Sequence, residues 1–296
     1  MHSWLATPTQ TRAVLEQHGL ATKHRLGQNF LINDNIIGNI LELSGIDDSD
    51  IVLEVGPGIG TLTCAMLPLA AGVVSIEADR QLESVLSETL AQDSDRFALI
   101  MGDALKVDKA QIQEAVQSIG HDLPSSVPTA FVANLPYQVA ATLILKYLQT
   151  IESLQRACVM VQAEVADRIA AVPGNKTYGA YTAKLNLIGE VTGRFEVGPG
   201  NFMPAPHVNS AVVRIDRKPY VRPDGRSLSD DELEFTAKVI DSAFALRRKT
   251  IRNSMSSNGF EKSDLDVAFD IAEIAPSARA EVLSVDDFVR LADALA

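Results

Sequence analysis

The 296-residue sequence has few cysteines, no long apolar run and fewer basic than acidic residues. Its two cysteines, Cys64 and Cys158, lie in apolar segments, which predicts buried free thiols and neither a disulfide framework nor a metal site. The longest apolar stretches, such as Leu62–Ala71, are too short or too interrupted to span a bilayer, and no charged region precedes an apolar run at the N-terminus. We therefore expect a cytoplasmic protein with no membrane association, no metal and no obligate protein partner.

The composition also excludes several protein classes. Hydrophobic residues make up 46% of the chain and charged residues 22%, which is typical of a globular protein and excludes a disordered, collagen-like or low-complexity chain. The length favours two domains.

The shortage of basic residues argues at first against a nucleic-acid partner, because 26 Lys and Arg face 38 Asp and Glu. The acidity is concentrated in two blocks, however. Residues 36–120 carry 4 basic and 14 acidic side chains and residues 230–296 carry 8 and 14, whereas residues 121–229 carry 11 and 8. Since polyanion binding depends on the local patch, a basic face remains compatible with this sequence.

Between Ile51 and about Ile144, short strand-like runs alternate with longer helical stretches. The runs are Ile51–Val55, Val73–Glu77, Phe97–Met101 and Ala130–Ala133, and the helical stretches are Thr61–Leu69, Gln81–Leu90, Lys109–Ile119 and Ala140–Leu148. This alternation predicts βαβ units and an α/β fold with a doubly wound, mainly parallel, Rossmann-like sheet. Three further strands are expected at Ala157–Gln162, Arg194–Val197 and Ser210–Ile215.

The remaining segments predict the domain organisation. Residues 217–229 are polar and contain proline and glycine, which is typical of a linker. Beyond them only helix signals occur, at about Leu233–Leu246, Asp264–Phe269 and Asp286–Leu295. We therefore expect a sheet domain over residues 1–216 with an N-terminal helical extension, and a small all-helical domain over residues 230–296.

A glycine-rich loop, Gly56-Pro57-Gly58-Ile59-Gly60, joins the first strand to a helix. By itself it is compatible with an ordinary turn. Glu77 ends the second strand 21 residues after Gly56, where its carboxylate can accept both hydroxyls of a ribose. Asp103 follows the third strand and is positioned to accept a hydrogen bond from an adenine amino group. Because these loops meet at the carboxyl edge of a parallel sheet, they predict a nucleoside cofactor.

The identity of the nucleoside follows from the residues beside the loop. The dinucleotide fingerprint fits imperfectly, because Thr61 stands where glycine or alanine is expected. Glu54 would repel a pyrophosphate but is compatible with a cationic ligand that carries an amino acid. The loop resembles motif I of the methyltransferases that use S-adenosylmethionine, and an NAD-dependent dehydrogenase is a remote alternative.

Asn134-Leu135-Pro136-Tyr137 follows the fourth strand. An exocyclic amine that attacks a methyl sulfonium needs acceptors that orient its N–H bonds, and the Asn134 side chain and the Leu135 carbonyl can supply them. Pro136 stiffens the turn, and Tyr137 can stack on the base. Alone, this tetrapeptide is compatible with a structural proline turn; behind the glycine loop, it favours amine methylation.

Together these motifs resemble the ribosomal RNA adenine N6,N6-dimethyltransferases, which modify two adjacent adenosines in a hairpin near the 3′ end of 16S rRNA. The resemblance extends from about residue 24 to residue 291. Besides the motifs above it includes Leu26–Leu31, Tyr178-Gly179, Phe202–Val213, Phe244–Asn253 and Arg279–Ser284.

The resemblance implies roles for further residues. Asn29 and Leu31 are expected to close over S-adenosylmethionine, Gly56 to contact its methionine part, and Asn134 to lie at the methyl site beside the target amine. Phe202 is implied at the mouth of the site, where it would stack on a flipped adenine opposite Tyr137. Residues 138–141, Gln-Val-Ala-Ala, are less polar than the family's usual sequence, so the local substrate contact is expected to differ.

Four basic side chains form a compact cluster in the otherwise acidic C-terminal part: Arg247, Arg248, Lys249 and Arg252. This basic cluster resembles a family segment and predicts contacts with RNA phosphates. The alternative is that it forms salt bridges that hold the helical domain together, for example with Asp230.

The resemblance implies an enzyme that methylates 16S rRNA within the immature small ribosomal subunit. Two alternatives stay open from the sequence. One is a 23S rRNA adenine methyltransferase of the erythromycin-resistance type, and the other is an assembly factor whose binding role outweighs catalysis.

Overall fold

The structure is a computed structural model that describes residues 1–20, 29–119 and 123–296. Residues 26–28 of the resemblance above lie outside these ranges. The strands are β1 Phe30–Leu31, β2 Ile51–Val55, β3 Gly72–Glu77, β4 Phe97–Met101, β5 Ala130–Asn134, β6 Arg156–Gln162, β7 Gly189–Val197, β8 Phe202–Met203 and β9 Ser210–Arg217.

Seven of these strands form one sheet in the order β4-β3-β2-β5-β6-β9-β7. Strands β2 to β6 pair in parallel, and β9 pairs antiparallel with β6. The predicted doubly wound, mainly parallel sheet is therefore confirmed. The chain order reverses between β2 and β5, and an open α/β sheet binds its ligands at such a point. Strands β1 and β8 form a separate antiparallel pair.

Several of the helices begin after a residue whose side chain caps them. They are α1 Pro8–Gln17, α2 Asp34–Ser44, α3 Thr61–Met66, α4 Glu83–Thr89, α5 Lys109–Gln117, α6 Ala140–Thr150, α7 Ala163–Ile169, α8 Ala180–Leu185, α9 Asp230–Phe244, α10 Ile251–Ser256, α11 Lys262–Ile271 and α12 Val285–Leu295. The Ser229 side chain accepts a hydrogen bond from the Glu232 N–H at the start of α9. The Ser284 side chain accepts one from the Asp287 N–H at the start of α12.

The sequence-based boundaries differ from these in a few places. The helices α2, α8 and α10 were not predicted. In α2 the glycine at position 38 weakens the helical pattern, and α8 and α10 have only six residues each. The strand expected at Arg194–Val197 begins at Gly189, because its alternately buried and exposed N-terminal half contains few apolar residues.

The chain forms two compact units, the first from residues 1–166 and 191–217, the second from residues 167–190 and 218–296. The first contains the sheet, whose central strands β2, β3 and β5 are almost entirely buried. The sequence-based division placed 167–190 in the first domain, whereas the structure places it with the second unit.

The second unit is built mainly from helices around an aromatic core. The ring of Phe244 lies 5.8 Å from that of Phe288 and 5.9 Å from that of Tyr178. The segment predicted as a linker is attached to this unit, because Arg222 forms ion pairs with Glu232 and Asp293.

The cysteines and the helices bear on two expectations from composition. Cys158 is buried and Cys64 is only partly so, and both thiols are free; burial raises the pKa of each to about 12. In the part of the chain that the structure describes, every helix is too short or too polar to cross a bilayer.

Candidate active site

The loops that follow the parallel strands are joined to one another by backbone hydrogen bonds at the carboxyl edge of the sheet. The Gly56 N–H donates to the Ile76 carbonyl at 2.9 Å, and the Gly102 N–H donates to the Glu77 carbonyl at 2.8 Å. The Leu135 N–H donates to the Met160 carbonyl at 3.1 Å. These bonds extend the strand pairing into the loops and fix the loops at one edge, as the sequence predicted.

The glycine-rich loop needs its glycines. Gly56, Gly58 and Gly60 have positive φ angles of 71°, 62° and 88°, and residues that carry a side chain rarely adopt such values. A Cβ atom on Gly58 would lie 3.0 Å from the Phe30 ring. The loop therefore presents bare backbone to the cavity that Gly56 and Gly58 line.

Glu77 ends β3 beside this loop and is almost fully buried. Its carboxylate accepts a hydrogen bond from the Asp79 N–H at 2.8 Å and a longer one from the Gly58 N–H at 3.4 Å. Burial raises the pKa of Glu77, and these backbone donors partly oppose the shift. The result is an oriented carboxylate beside the backbone of the glycine loop.

A second carboxylate, Glu54, is 1% exposed and also lines the cavity. Its Oε2 atom accepts hydrogen bonds from the Ser75 hydroxyl at 2.6 Å and the Thr63 hydroxyl at 2.7 Å. Burial raises the pKa of Glu54 to about 7, these bonds lower it, and the charge of Glu77 raises it further. The sequence analysis missed both hydroxyls, although Ser75 is the one polar residue in the run Val73–Ile76.

Asp103 lies at the surface on the loop that follows β4. Its Oδ1 accepts a hydrogen bond from the Leu105 N–H at 3.0 Å. Carbonyls of the same loop accept hydrogen bonds from Lys146 and Tyr147 on α6, two residues that the sequence analysis also missed. Lys146 is the one charged residue of α6, and this was the available signal.

Asn134 is held in one orientation. Its Nδ2 donates to the Asn29 carbonyl at 3.2 Å, so the side-chain oxygen is the atom left to accept. Among the described residues, no donor to that oxygen is present. Asn134 therefore presents an acceptor at the carboxyl end of β5.

The turn that follows Asn134 is fixed from both sides. The Val139 N–H donates to the Pro136 carbonyl at 3.2 Å, and the Tyr137 hydroxyl lies 2.6 Å from the Ser210 Oγ. Burial raises the pKa of Tyr137, so its phenol stays protonated near neutral pH. The Tyr137 ring is thereby anchored at its hydroxyl end.

These residues surround one cavity of about 240 Å³ in the first unit. The structure brings together all but one of the residues predicted for catalysis or cofactor binding. Those that line the cavity are Asn29, Leu31, Gly56, Glu77, Asp103, Asn134, Leu135 and Tyr137.

Phe202 is the exception. It is 3% exposed, belongs to a hydrophobic cluster of the first unit and does not line the cavity. Its strand β8 pairs with β1, with Phe202 opposite Leu31. This pairing turns the aromatic ring into the core, so in this structure Phe202 packs beneath the site and does not face a base.

The residues of the basic cluster differ in their surroundings. Arg252 forms two hydrogen bonds with the Asp266 carboxylate, at 2.5 and 2.6 Å. Arg247 donates to the Lys176 carbonyl at 2.5 Å and lies 4.0 Å from Glu281. Arg248 and Lys249 are exposed, and neither side chain has a partner among the described residues. The internal pairs do not involve Asp230, which the alternative interpretation had named.

The fold and the cavity define the class of the protein. Open α/β sheets with an acidic residue after the second strand bind nucleosides at this edge, and the acceptors at the end of β5 suit an amine nucleophile. This is the arrangement of a class I methyltransferase, an enzyme that uses a methyl donor. Within the described residues no group of three or more potential metal ligands occurs.

Comparison with known proteins identifies the family. The model of the ribosomal RNA adenine dimethylase family matches residues 19–296, and the chain therefore belongs to that family. A relative from Rhodococcus erythropolis, ribosomal RNA small subunit methyltransferase A, is 39% identical over 97% of this chain and 93% of its own length.

Two solved structures have the same fold. A dimethyladenosine transferase from Plasmodium falciparum superposes with a TM-score of 0.70 at 25% identity, over 88% of this chain and 95% of that one. The 23S rRNA methyltransferase ErmE superposes with a TM-score of 0.65 at 24% identity, over 90% and 99% of the two chains.

Proposed function

We propose that this protein transfers methyl groups from S-adenosylmethionine to N6 of two adjacent adenosines in the 3′-terminal hairpin of 16S rRNA, within the immature small subunit in the cytoplasm. Membership of the rRNA adenine dimethylase family supports the reaction. The similarity to small subunit methyltransferase A supports the small-subunit substrate. The observation that carries the proposal is the placement of Asn134 and Leu135 on the same cavity as Glu77 and Asp103.

The cavity fits S-adenosylmethionine, which supplies an electrophilic methyl group on a cationic sulfur. Bare glycine backbone leaves room for the methionine part beside Gly56. The buried Glu77 carboxylate can accept both ribose hydroxyls, and Asp103 can accept from the adenine amino group. The acidic lining with Glu54 suits a cation. Asn29 and Leu31 line the same cavity and would close over the ligand.

Asn134 and Leu135 orient the nucleophile in this proposal. The Asn134 side-chain oxygen and the Leu135 carbonyl accept the two N–H bonds of the adenine amine, which directs the nitrogen lone pair toward the methyl group. The anchored Tyr137 ring stacks on the base. As the new N–C bond forms, the methyl–sulfur bond would break and S-adenosylhomocysteine would be the leaving group. The amine proton would then pass to water, so no general base is required. Phe202 supports the site from the core, where it pairs across the strands with Leu31 and shares its hydrophobic cluster.

RNA binding is proposed for the exposed part of the basic cluster. Arg248 and Lys249 are the two cations of that cluster with no side-chain partner among the described residues. They can therefore neutralise phosphates without first breaking an ion pair, whereas Arg252 would have to leave Asp266.

Methyl transfer to isolated ribosomal subunits tests the function. Small subunits that lack the modification are incubated with the protein and S-adenosylmethionine with a labelled methyl group, and the labelled nucleotides are mapped by mass spectrometry. We expect two neighbouring dimethyladenosines in 16S rRNA. Label found only in large subunits would support a 23S enzyme, and binding to small subunits without label would support an assembly factor; either result overturns the proposal.

Asn134→Ala tests the mechanism. Because its oxygen orients the nucleophile, we expect a loss of turnover of roughly 100-fold or more with an unchanged cofactor Kd. Gln149→Ala, an exposed amide on α6 that does not line the cavity, is the matched control and should leave turnover unchanged. A variant that raised only the KM for subunits would assign Asn134 to RNA binding.

A further inference from the structure

We propose that Lys146 is a positioning residue of this site, which holds the loop of residues 103–107 in the conformation that lets Asp103 recognise adenine. Lys146 lies on α6, and its Nζ donates to three carbonyls of that loop. The distances are 3.1 Å to Ala104, 2.9 Å to Leu105 and 2.8 Å to Val107. An ammonium group has three N–H donors, so all of them are used on one loop.

The loop depends on this cation for its shape. Its N–H groups turn toward Asp103, because Leu105 donates to the Asp103 carboxylate and residues 106 and 107 donate to the Asp103 carbonyl. Its carbonyls turn to α6, where the Tyr147 hydroxyl also donates to the Ala104 carbonyl at 2.9 Å. Carbonyls that converge in this way face one another with partial negative charge, and the Lys146 ammonium offsets that repulsion.

Lys146 acts through Asp103 and has no cofactor contact of its own. Gly102, Asp103, Ala104 and Leu105 line the cavity, whereas Lys146 does not. The helix that carries Lys146 begins at Ala140, three residues after the Tyr137 turn. Helix α6 therefore begins directly after the turn that orients the target amine. Through Lys146 the same helix braces the loop that recognises the adenine of the cofactor.

The inference rests on the proposed function, because it takes Asp103 as the acceptor for the adenine amino group. It predicts selectivity between two ligands that differ at this edge of the base. S-adenosylhomocysteine carries the amino group, and S-inosylhomocysteine carries a carbonyl oxygen in its place and a proton on the adjacent ring nitrogen N1. A carboxylate facing a carbonyl is repelled, so the wild-type protein should prefer the first ligand by roughly tenfold or more.

The experiment is calorimetric titration of both ligands into wild-type protein and Lys146→Met. We expect the variant to bind S-adenosylhomocysteine about tenfold more weakly and to lose most of its preference over S-inosylhomocysteine. Lys146→Arg, which keeps several donors, should restore part of that preference. Lys109→Met, an exposed lysine on the neighbouring helix α5, is the matched control and should behave as wild type. If Lys146→Met does not fold, Lys146→Gln replaces it, since it keeps two N–H donors on a side chain too short to reach the loop.

The outcomes separate the two proposals. If folded Lys146→Met binds both ligands more weakly by the same factor, Lys146 is only a structural brace and the inference is wrong. If the wild-type protein binds S-adenosylhomocysteine without preferring it, the role of Asp103 and this inference both fail. If the wild-type protein binds neither ligand, the proposed function itself is overturned.

Discussion

At the scale of single residues, Glu77 is the side chain that we propose for ribose recognition. It is buried and oriented by backbone donors, so it can accept two hydroxyls in a fixed geometry. Its loss removes charge-assisted hydrogen bonds worth about 1.5–3 kcal/mol. We expect Glu77→Ala to weaken S-adenosylmethionine binding by about tenfold or more, measured by calorimetry.

Glu83→Ala is the control for that measurement, because Glu83 is an exposed carboxylate at the start of the next helix. It should leave the affinity unchanged. An unaltered Kd in folded Glu77→Ala would remove Glu77 from the cofactor site.

Glu54 gives the protein a pH dependence at the same scale. Burial raises its pKa from 4.5 to about 7, so the folded protein binds the proton more tightly than the unfolded chain. The stability that this provides is fully present below pH 4.5 and is lost as the pH rises through about 7. Replacement by glutamine keeps a neutral side chain at every pH and removes this dependence.

We therefore expect the free energy of unfolding of the wild-type protein, relative to Glu54→Gln, to fall by about 3 kcal/mol between pH 4.5 and pH 8. Denaturant titrations at the two pH values measure it, with Glu83→Gln as the exposed control. A difference that stayed constant with pH would show that Glu54 titrates normally.

At the scale of elements, the loop between β2 and α3 depends on backbone conformation and space together. Gly58→Ala places a side chain at a φ of 62° and a Cβ atom 3.0 Å from the Phe30 ring. The conformation costs about 1–2 kcal/mol and the crowding a further 1–3 kcal/mol. We expect a loss of stability of about 2–5 kcal/mol by the same terms, with loss of cofactor binding.

Gly19→Ala separates these two causes. Gly19 has nearly the same φ of 60°, but no atom of the described residues lies within 4 Å of its would-be Cβ. Denaturant unfolding should show only the conformational cost for this variant. Equal losses for the two variants would mean that contact with Phe30 contributes nothing.

At the scale of the whole molecule, an acidic protein must act on a polyanion. The net charge is −12, so binding depends on local cations with no internal partner. We expect Arg248→Gln with Lys249→Gln to weaken binding to small subunits and to reduce the log–log salt slope by roughly one for each phosphate that the variant no longer neutralises. Filter binding across a salt series measures this slope.

Two further variants make that measurement specific. Arg252→Gln breaks the ion pair with Asp266 and should leave the salt slope unchanged while it lowers the melting temperature slightly. Lys218→Gln with Arg226→Gln removes two cations that are already paired with acidic residues and should have no effect on the slope. A slope that changed on removal of any cation would indicate a nonspecific effect of net charge.

The sequence by itself determined the fold class, the cofactor edge and the family. The βα alternation, the three glycines and the carboxylates that end strands are local patterns, and local patterns fix strands, turns and the edge to which they lead. Glu77, Asp103 and Asn134 could therefore be found without coordinates, since each directly follows or ends a strand.

Only the tertiary structure decided which long-range partner each side chain meets. Phe202 is buried because β8 pairs with β1, about 170 residues earlier in the chain. Arg252 is paired because α11 brings Asp266 to it. Lys146 reaches a loop about 40 residues before it. Such contacts depend on how elements pack and not on neighbouring residues, so local sequence patterns do not identify the partner that each side chain meets.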